Sequence, residues 1–239
     1  MISKKLFIAG CGHTGTSVLA RIIGSHKSSY FINYESGVFL ANRYFDEIDI
    51  IREWEKSAQG KLIVEKTPRH IWHIDYIRSH YSNSLFILTT RDGKECISSL
   101  YERSNDFNSS VKRYIDDSLM TLRQIESIDC YLVKYEKLIQ DPKRELKKIF
   151  NFCGLDYYDE ILNFHYKKIN WNIKKELNKN ESSIDFKHDI LRNIQVNSPL
   201  NKNLRNWQER IPKEKHKELN KLFNEPNIGY RIMKKFGYK

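Results

Sequence analysis

The sequence is poor in cysteine, in acidic residues and in long apolar runs, and each shortage excludes something. Its four cysteines, Cys11, Cys96, Cys130 and Cys153, stand too far apart for a Cys-x-x-Cys metal or redox motif and are too few for a disulfide framework. They are expected to be reduced, buried thiols. No apolar stretch approaches the roughly 20 residues of a bilayer-spanning helix. The strand expected after Lys5 breaks at Gly10, too soon for a secretory leader, so the expectation is a cytoplasmic protein. Aspartate and glutamate number 30 against 41 lysines and arginines, a formal net charge of +11. A field of that sign attracts nucleic acid, acidic glycans or a phosphorylated cofactor without choosing among them. Helix-turn-helix, zinc and RNP motifs are missing, which weighs against a nucleic-acid-binding module despite the charge and 13% aromatic content.

What is present reads as one globular domain spanning residues 1–239, with 40% hydrophobic and 30% charged residues. Four short apolar runs, Leu6–Ala9, Leu62–Val64, Leu85–Leu88 and Tyr131–Val133, read as buried parallel strands. Helical patterns lie between and after them: Thr16–Ser25, Gly37–Glu55, Pro68–His80, Lys94–Arg103, Val111–Ile125, Pro142–Phe152 and Pro212–Asn224. The alternation predicts an α/β, P-loop-like three-layer fold, with a central, mainly parallel sheet of four to five strands flanked by helices. From about 166 to 202 the composition turns to Asn, Lys and Ser, which reads as a polar, mobile excursion, either a lid or a disordered insert.

The chemistry starts at Gly10-Cys11-Gly12-His13-Thr14-Gly15-Thr16-Ser17, between the first strand and the first helix. That is the setting of a phosphate loop, whose glycines let backbone amides approach an oxyanion at a helix N-terminus. The lysine that follows the second glycine in ATPases and kinases is replaced by Thr16, which argues against a small-molecule kinase. His13, Thr14, Thr16 and Ser17 add side-chain donors. A second anion site is expected where Thr90-Arg91-Asp92-Gly93 leaves the third strand, with Ser99 two helical turns on; the plainer alternative is an Arg91–Asp92 ion pair.

Together these residues resemble the sulfotransferase superfamily, and their wording is closest to the branch of tyrosylprotein and some bacterial carbohydrate sulfotransferases. The resemblance implies 3′-phosphoadenosine 5′-phosphosulfate as cofactor, no metal, and in-line transfer of a sulfuryl group to a hydroxyl on a carbohydrate, tyrosyl or small-molecule acceptor. Gly12 and His13-Thr14-Gly15-Thr16-Ser17 match the loop that binds the 5′-phosphosulfate, where the family has Arg or Lys in the place of His13. Arg91 and Ser99 have the spacing of its 3′-phosphate pair. Tyr135, in Val133-Lys134-Tyr135-Glu136, matches a tyrosine near the adenine, and Arg205, before Trp207, falls in a late segment near the 3′-phosphate. The resemblance further implies Glu35 as the base, with His70 as runner-up and a solvent-facing helix position as that histidine's plainer reading. Lys66 and His13 would supply charge to the leaving group. Trp54 and Trp171 could stack on an acceptor, although core packing is the commoner use of tryptophan.

Overall fold

The computed structural model describes residues 3–40, 46–171, 190, 192–200 and 206–238. Strand β1 (Lys5–Gly10) is buried along its whole length. It lies at the centre of a five-stranded, all-parallel sheet in which β2 (Ser29–Phe31), β3 (Leu62–Lys66), β4 (Ser84–Thr90) and β5 (Tyr131–Lys134) take the order β2-β3-β1-β4-β5. Side chains alternate across β1. Leu6 and Ile8 meet Leu19, Ile22 and Ile23 of α1 (Thr16–Gly24), together with Leu146, Ile149 and Phe150 of α7 (Pro142–Cys153). On the other face, Phe7 and Ala9 meet Ile51 and Trp54 of α2 (Glu47–Ala58) and Ile74 and Ile77 of α3 (Ile74–His80). Each fully buried aliphatic or aromatic side chain contributes about 1.5–3 kcal/mol through water release.

Three further helices bring the site together. Asp92 caps α4 (Gly93–Ser104) by accepting the Glu95 amide at 3.1 Å, and Asp106 caps α5 (Phe107–Ser127) through the Ser109 amide at 3.0 Å. A short α6 (Tyr135–Gln140) follows β5 directly. Beyond the C-terminal edge of the sheet, Cys11, Cys96, Ile97, Tyr114, Ile232 and Phe236 form a third apolar cluster that joins α4 and α5 to the last helices, α8 (Trp207–Arg210), α9 (Lys213–Leu222) and α10 (Ile228–Lys235). Among the described residues no helix is long and apolar enough to cross a membrane.

Several elements differ from expectation. The Gly37–Glu55 pattern is not one helix: α2 starts at Glu47, residues 41–45 lie outside the described residues, and Gly37 has φ 56° with a turn closed by the Leu40 amide on its carbonyl at 2.9 Å. Val38 and Phe39 belong to the core, and not to an amphipathic face. The Pro68–His80 pattern splits into a 3₁₀ helix (Pro68–Trp72) and α3. Strand β2 was not expected. Of the 166–202 excursion, residues 172–189, 191 and 201–202 lie outside the described residues, whereas Trp171 is buried and Val196 is fully so.

Candidate functional site

All five strands point their C-terminal ends to one edge, and the loop from β1 to α1 crosses it. Its turns need glycine. Gly10 has φ 135°, and a Cβ there would stand 2.6 Å from the Thr89 carbonyl. At Gly15, with φ 85°, a Cβ would meet the Tyr135 ring at 2.5 Å. Helix α1 therefore opens on Gly15 without a side-chain cap, and its first amides are left for a ligand. Thr14 is turned inward: its hydroxyl donates to the Cys11 carbonyl at 2.6 Å and meets the Thr89 hydroxyl at 2.6 Å, so it braces the loop. Thr16 and Ser17 stand in the first turn of α1.

His13, with φ 68°, joins the loop to the second anion site. Its Nδ1 lies 2.8 Å from the Ser99 hydroxyl, and its carbonyl accepts from Arg91 Nη1 at 3.2 Å. The two turns of helix between Arg91 and Ser99 are thus bridged from across the sheet edge. The Arg91 guanidinium stands 4.8 Å from the Tyr135 ring centre, and burial raises that phenol's pKa. Arg91 does not pair with Asp92, which serves as the α4 cap; it pairs with Glu95 at 3.3 Å.

Glu95 is a hub that no motif announces. It also accepts the Trp207 amide at 2.9 Å and pairs with the buried Arg210, so the late segment docks beside Arg91. Arg205 lies outside the described residues.

On the other side of the loop, β3 brings up Lys66, in register with Ile8. Lys66 is fully buried, and its ammonium contacts Glu35 at 2.5 Å. Burial pulls the Lys66 pKa well below that of free lysine, against the opposing charge of Glu65, and the charge of Arg103 adds to the lowering; the Glu35 carboxylate is its ion-pair partner. Arg192 pairs with the same carboxylate, and burial lowers its pKa to about 10. The Trp171 ring centre lies 4.7 Å from the Lys66 ammonium and 5.8 Å from the Arg192 guanidinium. Trp54 is buried in the core, its indole donating to Tyr34 at 3.4 Å, and is not a stacking platform.

Glu35 is followed by a segment anchored to a buried carboxylate. Glu65 receives the hydroxyls of Ser36 and Thr67, both at 2.7 Å, and faces His70 Nδ1 at 3.1 Å. Burial opposes its ionisation, but His70 and these hydroxyls outweigh it and hold its pKa below the usual carboxylate value. The Gly37 amide donates to Thr67 at 3.1 Å and the Phe39 amide to His70 Nε2 at 3.4 Å. His70 is therefore a buried, doubly engaged residue and not the solvent-facing one expected; its ring nitrogens tie down the Glu35 segment.

A family model described as the sulfotransferase family matches residues 36–160, a stretch that begins just after Glu35 and holds Lys66, Arg91, Ser99 and Tyr135. A relative from Caenorhabditis briggsae, named for protein-tyrosine sulfotransfer, is 25% identical over 195 residues, 67% of this chain and 69% of that one. The sulfotransferase domain of a Synechococcus olefin synthase superposes with a TM-score of 0.61 at 14% identity, covering 100% of this chain and 96% of that one. A mouse sulfotransferase solved with PAP does so with a TM-score of 0.57 at 16% identity, covering 97% and 88%. These likenesses show the same fold.

Proposed function

The chain belongs to the sulfotransferase family, and we propose that it moves a sulfuryl group from 3′-phosphoadenosine 5′-phosphosulfate to a hydroxyl acceptor, with Glu35 as base. The observation that carries this reading is the contact of Glu35 with Lys66 at 2.5 Å, beside a loop whose amides open onto an uncapped helix.

The residues fit that cofactor. The donor set is amides, hydroxyls and guanidinium groups, suited to phosphate and sulfate. The buried Nε of Arg91 has no hydrogen-bond partner among the described residues, so its fork is unsaturated. Gly12 to Ser17 would hold the 5′-phosphosulfate, Arg91 and Ser99 the 3′-phosphate with the His13 ring between them, and Tyr135 would pack near the adenine. Bound, the cofactor supplies the sulfuryl group and its own leaving phosphate. This chain's residues do the rest: Glu35 takes the acceptor hydroxyl's proton onto a carboxylate oxygen, and Lys66 holds positive charge at the edge of the loop. Before an acceptor enters, Lys66 and Arg192 both lie on the Glu35 carboxylate. The name of the Caenorhabditis briggsae relative supports a tyrosyl hydroxyl as acceptor.

Calorimetric titration with 3′-phosphoadenosine 5′-phosphate tests the reading. The unmodified chain is expected to bind, and Arg91→Ala to bind about 10–100-fold more weakly, the range for a lost charged hydrogen bond. No binding to either protein would sink the proposal.

A further inference from the structure

The function proposed above makes no use of Arg113, a cation against the loop among the described residues. Arg113, on α5, lays its guanidinium where a side chain at position 12 would stand: a Cβ on Gly12 would lie 2.9 Å from Nη2 and 3.4 Å from Cζ. Several described cations nearby are committed elsewhere. Lys66 and Arg192 contact Glu35, Arg91 is shared by Glu95 and the His13 carbonyl, Arg210 lies on Glu95, and the His13 ring is turned to Ser99.

Arg113 is steered from behind and only loosely held. Its Nε lies 3.6 Å from Asp117 Oδ2, one helical turn on, an ion-pair distance too long for a hydrogen bond. Both of these buried atoms lack a hydrogen-bond partner among the described residues. Asp117 is itself fixed, because its Oδ1 accepts from the Trp72 indole at 2.7 Å and its side chain is almost wholly buried. Burial raises the Asp117 pKa, against the Trp72 indole and the charges of Arg113 and Arg69, which favour its ionised form. A fixed post, a loosely paired guanidinium and a glycine that leaves room for it make a receptor for an anionic group at the loop's mouth.

We propose that Arg113 binds the sulfuryl oxygens of the cofactor and neutralises them during transfer, an inference that rests on the reading above. In the transfer the acceptor oxygen forms its bond to sulfur as the bond from sulfur to the phosphate oxygen breaks. The electron pair of that bond leaves with the phosphate, and the acceptor's proton goes to Glu35. Arg113 exchanges no proton; it donates hydrogen bonds to oxygens whose charge must be held in place.

The test compares two ligands that differ only in the sulfuryl group. Calorimetry measures binding of 3′-phosphoadenosine 5′-phosphosulfate and of 3′-phosphoadenosine 5′-phosphate to the unmodified chain, Arg113→Ala, Arg113→Gln and Arg113→Lys. Arg113→Ala is expected to weaken the phosphosulfate by about tenfold or more while leaving the bisphosphate unchanged, and Arg113→Lys to recover part of the loss. Arg113→Gln, which keeps much of the stem and loses the charge, should show the Arg113→Ala pattern. Equal weakening of both ligands, or no change in either, in the folded variants overturns the proposal. If Arg113→Ala does not fold, Arg113→Lys and Arg113→Gln carry the same comparison. Failure of the unmodified chain to bind either ligand would instead overturn the functional reading on which this rests.

Discussion

Glu65 shows how a single buried charge can serve the site without touching a substrate. Its three side-chain partners also hold the amides of Gly37 and Phe39, which fixes where the chain leaves Glu35. Glu65→Gln should cost about 1–3 kcal/mol at neutral pH, the order of a buried hydrogen-bond network left partly unmade. The sign with pH follows from the lowered pKa. The carboxylate's contribution is complete above its unfolded value, near 4.5, and is lost as pH falls through the lower folded value. The difference in Tm between the two proteins should therefore be largest near neutrality and shrink below about pH 4; a difference that stays constant with pH would reject this account. At this scale the sequence was half legible. Arg91, Ser99, Tyr135 and Lys66 are nominated by resemblance to the sulfotransferase segments, and their elements lie at one edge of the sheet. Glu95, Arg113, Arg192 and Arg210 could not, since each acquires its role from a contact with residues far off in sequence. The turn of the His13 ring toward Ser99 is likewise decided across 86 positions.

Among the elements, the long buried strands were the plainest to read, because a strand covered on both faces must be apolar throughout. Strand β2 has three residues and begins with Ser29, so it carries no such run. The stretch after Gly37 misled for the opposite reason: Val38 and Phe39 are apolar because they plug the core, with no helical period behind them. In the described part of the asparagine-rich segment the asparagines have a local use. Asn193 and Asn197 stand one helical turn apart, and each bonds both backbone groups of one residue in the facing segment. Asn193 accepts from and donates to Trp171 at 2.7 and 3.4 Å, and Asn197 does the same to Ile169 at 2.9 and 2.8 Å. Side-chain amides here do the work of a neighbouring strand and hold Trp171 over Lys66. In Asn197→Ala the Ile169 amide should exchange with solvent about tenfold faster, the effect of a loss near 1.4 kcal/mol, with Tm lowered by a few degrees. An unchanged exchange rate at Ile169 would show that the strap is held by something else.

For the whole molecule, parallel strands collect every C-terminal end on one edge, and the excess of positive charge has its sharpest use there. Lys66, Arg91, Arg113, Arg192 and Arg210 come from β3, the β4 exit, α5, the helix that holds Arg192 and α8; Arg91 and Arg113 reach the loop itself, Lys66 and Arg192 meet on Glu35, and Arg210 lies on Glu95 beside Arg91. Glu35, Glu95 and Asp117 neutralise only part of that charge. The remaining field, part of a net charge of +11, should draw a nucleotide carrying several negative charges toward the edge. Salt shortens the reach of such a field from about 10 Å at 0.1 M to about 3 Å at 1 M. Affinity for 3′-phosphoadenosine 5′-phosphate should therefore fall about tenfold or more as potassium chloride rises from roughly 0.05 to roughly 0.5 M, chiefly through slower association. Two controls separate local from global charge. Arg91→Ala removes one contact and should flatten the dependence, whereas Lys143→Gln, at an exposed pair with Asp159, should leave it nearly parallel to the original. Stopped-flow association at several salt concentrations reads both. Affinity that does not respond to salt would mean that the nucleotide is recognised by shape and neutral donors, and that the positive edge serves the acceptor alone.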